Sequence, residues 1–289
     1  MARSDRCRIC GSIAHSVVCS HGACLVRCAR CGFASLMPPP SDEEFARAYL
    51  RSTVYNPRSF SERSDAIAAR WHNVYKVLAR QVLRQCESLS QPWRILDVGC
   101  GEGALLRALV AEGGPDALSL FAVEPRGTAL GHACKTSGCQ ALGATIDDAA
   151  TAGIRFSAIV MHHVLEHCRE PWEVLIIAHD LLTERGRIVL SVPNCGGLRW
   201  HLRGLRRAVA DDDPTHLHFF TSRSLRVLLR RTGFGQVRAL WRGGLEAGRS
   251  AAWAIPQSVA RALALSSEVR VSARKGPRCL PSNARPLRD

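Results

Sequence analysis

The residues with the clearest chemical potential lie where a short apolar run meets a glycine-rich loop. The run Ile95-Leu96-Asp97-Val98 leads directly into Gly99-Cys100-Gly101-Glu102-Gly103. This order predicts a buried strand, a tight loop and a helix, and such a loop lets a ligand approach the backbone at the carboxyl edge of a parallel sheet. The glycine spacing is one residue short of the dinucleotide-binding pattern, and a carboxylate at Asp97 would repel a pyrophosphate.

A second carboxylate indicates what kind of ligand the loop would take. Glu124 ends the next apolar run, 21 residues after Gly103, where it can accept hydrogen bonds from both hydroxyls of a ribose. Asp97 suits an ammonium group near a sulfonium. The ligand with a ribose, an adenine, an ammonium group and no phosphate is S-adenosylmethionine, which we predict as the cofactor. Asp147 or Asp148 is a candidate contact for its adenine amino group.

Four cysteines near the start of the chain have the spacing of a zinc ribbon. They form two Cys-x-x-Cys pairs separated by 17 residues: Cys7, Cys10, Cys28 and Cys31. Two such knuckles joined by a hairpin can complete a tetrahedral sulfur site, so we predict a structural zinc ion. Cys19 and Cys24, between the pairs, are possible substitute ligands. The alternative is a set of free buried thiols or a redox pair.

Clustered histidines are the candidates for a general base. His163 and His167 follow the fourth strand of the expected sheet, and His216 and His218 lie in the loop after the fifth. We predict His218, His216 and His167 as candidate bases, because imidazole exchanges protons near neutral pH. His163 is assigned to the lining of the cofactor pocket. The alternative for His216 and His218 is a structural cap in which both imidazoles bond to the backbone.

These side chains must be positioned by alternating strands and helices, which predict a mostly parallel sheet covered by helices on both faces. The expected strands are Ile95–Val98, Leu118–Val123, Ala158–Met161, Ile188–Val192, Gln236–Trp241 and Val269–Ala273. The expected helices are Ala104–Ala111, Arg126–Thr136, Pro171–Thr183, Ser222–Arg231 and Gln257–Leu265. Upstream, a capping box at Ser41 predicts a short helix through about Leu50. A longer helix is expected from about Glu62 to Cys86.

The chain divides by composition into four segments. Residues 1–37 form a zinc-ribbon-like module, and residues 38–91 form linker and lid helices that carry Tyr49 and Tyr55. Residues 92–275 form the α/β domain. Residues 276–289 form a basic tail that we expect to be disordered.

These motifs resemble those of class I S-adenosylmethionine-dependent methyltransferases. The segment from Asp97 to Gly103 matches the family's first motif, and Val123-Glu124-Pro125 matches the acidic end of its second strand. The segments 162–167 and 215–221 resemble the subgroup close to ubiquinone-type and sugar C-methyltransferases, and the N-terminal cysteines resemble the zinc module of the latter. The resemblance implies a Rossmann-like seven-stranded sheet. It also implies cofactor contacts from Asp97, Gly99, Cys100, Gly101, Gly103, Glu124, Pro125 and His163.

The function expected on this basis is methyl transfer to a small molecule, such as a sugar or natural-product intermediate, at oxygen or carbon. Two alternatives stay open. One is a nucleic-acid or protein methyltransferase that docks through the zinc module and an arginine-rich surface. The other is a non-catalytic cofactor-binding homologue, suggested by Ser157 and Leu217, which replace acidic residues of the family pattern.

Composition bears on partners and location. The net charge is +14, but only three of the 39 basic residues are lysines, a bias that reflects codon usage as much as a polyanion partner. We therefore expect a small-molecule acceptor, and neither a nucleic-acid nor a membrane partner. The first residues are not an apolar leader and no long apolar run follows, so a cytoplasmic location is expected. Oligomeric state is not predicted.

Overall fold

A seven-stranded sheet forms the centre of the protein. The structure is a computed structural model of the 289-residue chain and describes residues 6–13, 15–20, 23–51, 65–197, 213, 215–240 and 268–277. The central strands are β4 (Trp93–Val98), β5 (Leu118–Val123), β6 (Gln140–Gly143), β7 (Phe156–His162), β8 (Leu182–Pro193), β10 (Phe234–Ala239) and β11 (Glu268–Lys275). Their order is β10-β11-β8-β7-β4-β5-β6, and β11 is antiparallel to both of its neighbours.

Helices cover both faces of this sheet. Within the described residues they are α1 (Asp42–Arg51), α2 (Asp65–Cys86), α3 (Ala104–Gly113), α4 (Gly127–Ser137), α5 (Ile146–Thr151), α6 (Pro171–Leu181) and α7 (Ser222–Arg231). Short 3-10 turns occur at Pro115–Ala117 and Leu165–His167. The predicted fold class, a Rossmann-like α/β sheet of seven strands, is confirmed.

Successive residues of each strand pack into two separate apolar cores, one on each side of the sheet. Ile95 packs in the cluster that contains Leu78 and Val82 of α2, whereas Leu96 packs in the cluster that contains Leu175 of α6. This alternation follows from the pleat, which points successive side chains to opposite faces. Both faces are apolar because helices cover both.

Several predicted bounds differ from those observed. The strand expected at 236–241 begins two residues earlier, at Phe234, and the strand expected at 188–192 extends from Leu182 to Pro193. Strand β6 was not among the expected strands, because Gln140–Gly143 is short and largely exposed. The helix expected at 257–265 and most of the tail at 276–289 lie outside the described residues, as does Tyr55.

A second, antiparallel sheet holds the N-terminal segment. Its strands are β1 (His15–Ser20), β2 (Ala23–Cys28), β3 (Ala34–Met37) and β9 (His218–Phe219), in that order. Strand β9 comes from the far end of the chain and pairs Phe219 with Ala34. The N-terminal module is thus joined to the α/β domain by a shared sheet.

The hairpin between β1 and β2 corrects one expectation. Cys19 and Cys24 face each other across the turn and form a disulfide. A bonded sulfur cannot act as a thiolate ligand, so neither residue substitutes for a member of the four-cysteine set. No helix among the described residues is long and apolar enough to cross a membrane.

Candidate functional site

The glycine-rich loop lies at the carboxyl end of β4, between β5 and β7. Gly99, Gly101 and Gly103 all have positive φ, at 70°, 53° and 79°, which residues with a Cβ adopt only at a cost. A Cβ at Gly103 would lie 2.8 Å from the Cβ of Ala133, so this glycine also permits close contact between the loop and α4. A Cβ at Gly101 would meet nothing within 4 Å. The loop therefore leaves open space above Gly101.

Two buried carboxylates flank the loop at the ends of adjacent strands. Asp97 in β4 is 3% exposed and Glu124, directly after β5, is 4% exposed. Burial, with a smaller contribution from the charge of Glu124, raises the pKa of Asp97 to about 8. A bound cation would offset that penalty, so Asp97 has the electrostatic properties of an ammonium-binding group.

Glu124 is tied to the loop and to a residue of α1. Its Oε2 accepts a hydrogen bond from the backbone N–H of Gly101 at 3.0 Å, and its Oε1 accepts from the Tyr49 hydroxyl at 3.3 Å. Arg126 donates to Oε1 through its backbone N–H at 3.2 Å and its Nε at 3.1 Å. Tyr49 therefore lies over the predicted ribose-binding carboxylate. That the linker helices act as a lid stays a prediction.

The remaining predicted cofactor residues lie around the same edge. Cys100 is buried in the loop and its thiol donates to the carbonyl of Gly101, while Pro125 is exposed beside Glu124. The carboxylate of Asp148 accepts from the backbone N–H groups of Ala144 and Thr145 at 2.7 and 2.8 Å. Asp148 is therefore used as a helix cap, which disfavours its predicted contact with adenine and leaves Asp147 as the exposed candidate.

His163 lies between two buried carboxylates directly after β7. Its Nδ1 is 3.0 Å from Oε1 of Glu166, and its Nε2 is 3.6 Å from Oε2 of Glu268. Burial lowers the pKa of His163, but the two carboxylates outweigh it and raise the pKa to about 9. Its backbone has a φ of 55°, which is uncommon for a residue with a side chain and typical of functional positions. His163 is therefore a protonated, fixed cation at this edge at neutral pH.

The structure brings His167 and His216 together. Their ring centroids are 4.7 Å apart. One nitrogen of each ring and one carboxylate oxygen of Glu166 lie within 4.8 Å of one another. Nδ1 of His167 is 3.0 Å from the carbonyl of Thr215, so its proton is directed there and the lone pair is placed on Nε2. Burial lowers the pKa of His167, which keeps the ring neutral and able to accept a proton.

Glu166 supplies the negative charge beneath these rings. Burial raises its pKa, but the hydrogen bond from His163 and the neighbouring imidazoles outweigh burial and leave the pKa below its usual value. Asp213 is linked to the same group because Thr215 donates to it through its backbone N–H at 2.9 Å and its hydroxyl at 2.6 Å. The arrangement can stabilise an imidazolium formed at His167 or His216.

His218 has a different environment from the one predicted. Its Nδ1 is 2.9 Å from the hydroxyl of Ser35, and its Nε2 is 3.1 Å from the carbonyl of Arg169. The ring stacks on Phe33 with centroids 5.5 Å apart. Burial lowers its pKa to about 4. Its Nδ1 contacts β3 of the N-terminal module and its Nε2 contacts the loop before α6, so both nitrogens are engaged by protein groups. This geometry disfavours His218 as the base and matches the structural alternative.

The four N-terminal cysteines converge on one point. The four sulfurs all lie within 4.8 Å of one another. The Sγ–Sγ distance is 3.7 Å between Cys7 and Cys31 and 3.5 Å between Cys10 and Cys28. A tetrahedral zinc site with Zn–S bonds of about 2.3 Å has sulfurs about 3.8 Å apart. The residues therefore fit a zinc ion, and the hydrogen bond from the Thr221 hydroxyl to the Cys31 carbonyl, at 2.8 Å, ties the cluster to α7.

Two carboxylates of the histidine cluster after β7 were not predicted from the sequence. Glu268 begins β11, over a hundred residues from His163, and nothing in its local sequence distinguishes it from a surface carboxylate. Glu166 lies within the segment 162–167, but its position beneath two imidazoles was not predicted. Its local signal is the pattern Glu-His after an apolar strand, which is equally compatible with a residue that only orients the loop.

Comparisons with known proteins agree with this fold and site. A family model described as a methyltransferase domain matches residues 70–239, more than half of the chain. The chain is 31% identical over 160 residues to a ubiquinone biosynthesis O-methyltransferase of Cereibacter sphaeroides (strain ATCC 17025 / ATH 2.4.3). That match spans 51% of this chain and 62% of the relative. The chain belongs to the methyltransferase domain family, of the class I S-adenosylmethionine-dependent type.

Solved structures share the architecture. A plantazolicin methyltransferase, in complex with a monoazolic desmethylPZN analog and SAH, aligns with a TM-score of 0.54 at 15% identity, over 81% of this chain and 95% of that one. The CurJ carbon methyltransferase aligns with a TM-score of 0.52 at 16% identity, over 70% of this chain and 54% of that one. At these identities the likeness shows the fold alone.

Proposed function

We propose that this protein transfers a methyl group from S-adenosylmethionine to a small-molecule acceptor, at oxygen or carbon. The observation that carries the proposal is the pair of buried carboxylates, Asp97 and Glu124, on either side of an open glycine loop at the carboxyl edge of the sheet. Membership of the methyltransferase family supports it. The similar proteins include an O-methyltransferase and a carbon methyltransferase, so both acceptor atoms remain in the proposal.

The residues present fit the cofactor. Asp97, with its raised pKa, would hold the ammonium group, and Glu124 would hold the ribose. An ionised carboxylate has about four lone-pair sites, and Oε1 of Glu124 already accepts from Tyr49 and Arg126. The ribose would therefore use Oε2 and displace Tyr49 for its second hydrogen bond, which gives α1 the role of a lid that responds to the cofactor.

When bound, S-adenosylmethionine supplies a methyl group activated by a positive sulfur. The protein must position the acceptor in line with it and remove a proton from the attacking oxygen or carbon. We assign that proton to Nε2 of His167, with His216 as the alternative base, because the Thr215 carbonyl holds the opposite nitrogen of His167. The ionised Glu166 would stabilise the resulting imidazolium.

The experiment that tests this function starts from cofactor binding by the whole 289-residue chain. Calorimetric titration with S-adenosylhomocysteine is expected to give micromolar affinity. A panel of phenolic, enolic and sugar acceptors is then incubated with S-adenosylmethionine, and at least one acceptor is expected to be methylated with formation of S-adenosylhomocysteine. Well-folded protein that binds no S-adenosylhomocysteine would refute the cofactor assignment. Binding without turnover on any acceptor would favour the non-catalytic homologue, and methylation of RNA or protein alone would favour the macromolecular alternative.

A paired set of variants tests the base. His167→Asn keeps a hydrogen-bond donor toward Thr215 but removes the proton acceptor, so kcat is expected to fall by about 10²–10⁴-fold with cofactor affinity unchanged. His132→Asn changes an exposed histidine on α4 and is the matched control. Equal rates in the two variants would move the assignment to His216.

We also propose that Cys7, Cys10, Cys28 and Cys31 hold a structural zinc ion. Four thiolates leave no open coordination position, so this zinc would stabilise the module rather than take part in methyl transfer. Metal analysis of purified protein is expected to give about one zinc per chain. Metal-free protein with a fully folded N-terminal sheet would contradict the assignment. The cytoplasmic location remains a prediction from the sequence.

A further inference from the structure

Three arginines face one another at the end of the central sheet opposite the candidate methyltransferase site. Arg187 in β8 lies directly across the antiparallel ladder from Arg274 in β11. Arg238 in β10 lies across from Ser272, two residues before Arg274. Because residues that pair across a ladder, and residues two apart on a strand, share a face, all four side chains are on the same side of the sheet.

The position of Arg187 separates this cluster from the cofactor edge. Arg187 pairs with Ala158, near the start of the parallel strands, whereas Val192 lies near their carboxyl ends. Five residues of extended strand correspond to about 17 Å. On the shared face, Val189 packs in the apolar cluster that contains Cys86, so the last turn of α2 forms one wall of the arginine cluster.

The positive charges of this cluster have no counterpart in the described part of the chain. No carboxylate there forms an ion pair with Arg187, Arg238 or Arg274. The contrast is Arg270 on the same strand, which is paired with Glu268 and bonded to Gln81. Within the described residues, the fold thus neutralises buried Arg270 and supplies no carboxylate to the three arginines of the cluster.

Two buried polar atoms in the cluster also have no hydrogen-bond partner among the described residues. They are Nη1 of Arg187 and the hydroxyl of Ser272, whose side chain is fully buried. An unpaired buried polar group destabilises the fold, and like charges directly opposite on a ladder are also destabilising. Burial lowers the pKa of Arg187, and the charges of Arg238 and Arg274 lower it further. A bound anion would offset all of these costs together.

We propose that Arg187, Arg238, Arg274 and Ser272 form a binding site for the tetrahedral oxyanion of a phosphate group. Guanidinium groups match phosphate oxygens with paired N–H donors and remain protonated when buried. Three cations and a hydroxyl, carried by three strands, can serve separate oxygens of a tetrahedral anion, whereas a carboxylate offers two. The source of the phosphate is either the free ion or a small phosphate monoester.

Calorimetric titration of the whole 289-residue chain with potassium phosphate, against potassium chloride at equal ionic strength, tests the site. We expect phosphate to bind with a millimolar or lower Kd and Arg187→Gln to raise that Kd by about tenfold or more. Arg238 is exposed, so Arg238→Gln provides a second variant with little risk to folding. Arg223→Gln, an exposed arginine on α7, is the matched control and should bind phosphate normally.

The other arms of the experiment identify the source and exclude a broader surface. Glycerol phosphate binding more tightly than inorganic phosphate would indicate a phosphate monoester as the ligand, and weaker binding would indicate the free ion. Heats that match those of chloride, or equal affinities in the Arg187, Arg238 and Arg223 variants, would overturn the proposal. Tight, steeply salt-dependent binding of a single-stranded oligonucleotide that Arg223→Gln also weakens would replace it with a polyanion surface.

This inference goes beyond the proposed methyl transfer and is independent of it. Phosphate binding is measured without cofactor, and Arg238→Gln is expected to leave the affinity for S-adenosylhomocysteine unchanged. Loss of phosphate binding would therefore leave the methyltransferase proposal untouched, and the absence of cofactor binding would leave the phosphate site standing.

Discussion

The protonation of Asp97 should make cofactor binding strongly dependent on pH. Burial raises the pKa of this carboxyl to about 8 from its ordinary value of 3.8. The ligand's ammonium group favours the ionised carboxylate, so binding at acidic pH must release a proton. Affinity should therefore increase as pH rises toward 8, whereas a carboxyl that stays ionised throughout would leave affinity unchanged over this range.

The size of this effect follows from the fraction of Asp97 that is ionised. With a pKa of about 8, about half of the carboxyls are ionised at pH 8 and about one in a hundred at pH 6. The Kd for S-adenosylhomocysteine should therefore be up to about 50-fold weaker at pH 6, or about 2.3 kcal/mol. Above pH 8 the ligand's own amino group loses its proton, so affinity should decline again.

The assay is calorimetric titration at half-unit steps between pH 6 and 9 in buffers of different protonation enthalpy, which also reports proton release directly. Asp97→Asn should bind weakly and lose the acid limb of the profile. Asp116→Asn, an exposed aspartate outside the site, should retain it. A wild-type Kd that does not change between pH 6 and 8, or an acid limb that persists in Asp97→Asn, would refute the reasoning.

Three further predictions concern the metal cluster, the loop and His163. Cys28→Ser should lower the zinc content from about one per chain to near zero in metal analysis and should lower the Tm. The control variant Cys134→Ser should keep both the zinc content and the Tm. Equal zinc in the two variants would contradict the assignment. Gly103→Ala should lower the free energy of unfolding by about 2 kcal/mol more than Gly138→Ala in denaturant titration, because both glycines have positive φ but only Gly103 abuts a neighbouring helix. The folded-state pKa of His163 is about 9, above its ordinary 6.5, so its stabilisation is complete below pH 6.5 and is lost as pH rises through 9. His163→Gln should abolish this loss of stability at high pH. An identical pH dependence of unfolding in the variant would contradict the interaction of His163 with Glu166 and Glu268.

Local patterns in the sequence were sufficient for the central sheet and the loop. The apolar run before Gly99 and the acidic residue at the end of the next run are short-range signals, and each corresponds to a strand end in the structure. The two Cys-x-x-Cys pairs are equally local, since each knuckle is set by three or four residues. Strand β6 gave no such signal because an edge strand of four residues has little apolar surface to bury.

Contacts between distant segments account for the differences. His218 was assigned to the active site because its segment follows a strand near the substrate side, yet its partner Ser35 lies 183 residues earlier in the chain. The bridge from His163 to Glu268 likewise depends on β11 being inserted next to β8. Such pairings are decided by tertiary packing, and neither periodicity nor residue spacing carries information about them.

The pairing of β9 with β3 links the N-terminal strands to the histidine cluster through backbone hydrogen bonds. The backbone N–H of Leu36 donates to the carbonyl of Leu217, and the N–H of Leu217 donates to the carbonyl of Glu166. A continuous run of backbone hydrogen bonds therefore connects the cysteine knuckles to the residue beneath the candidate base. Amide exchange at Leu217 would therefore report on the integrity of the distant knuckles, and replacing the N-terminal strands would also change the backbone partners of Leu217 and, through it, of Glu166.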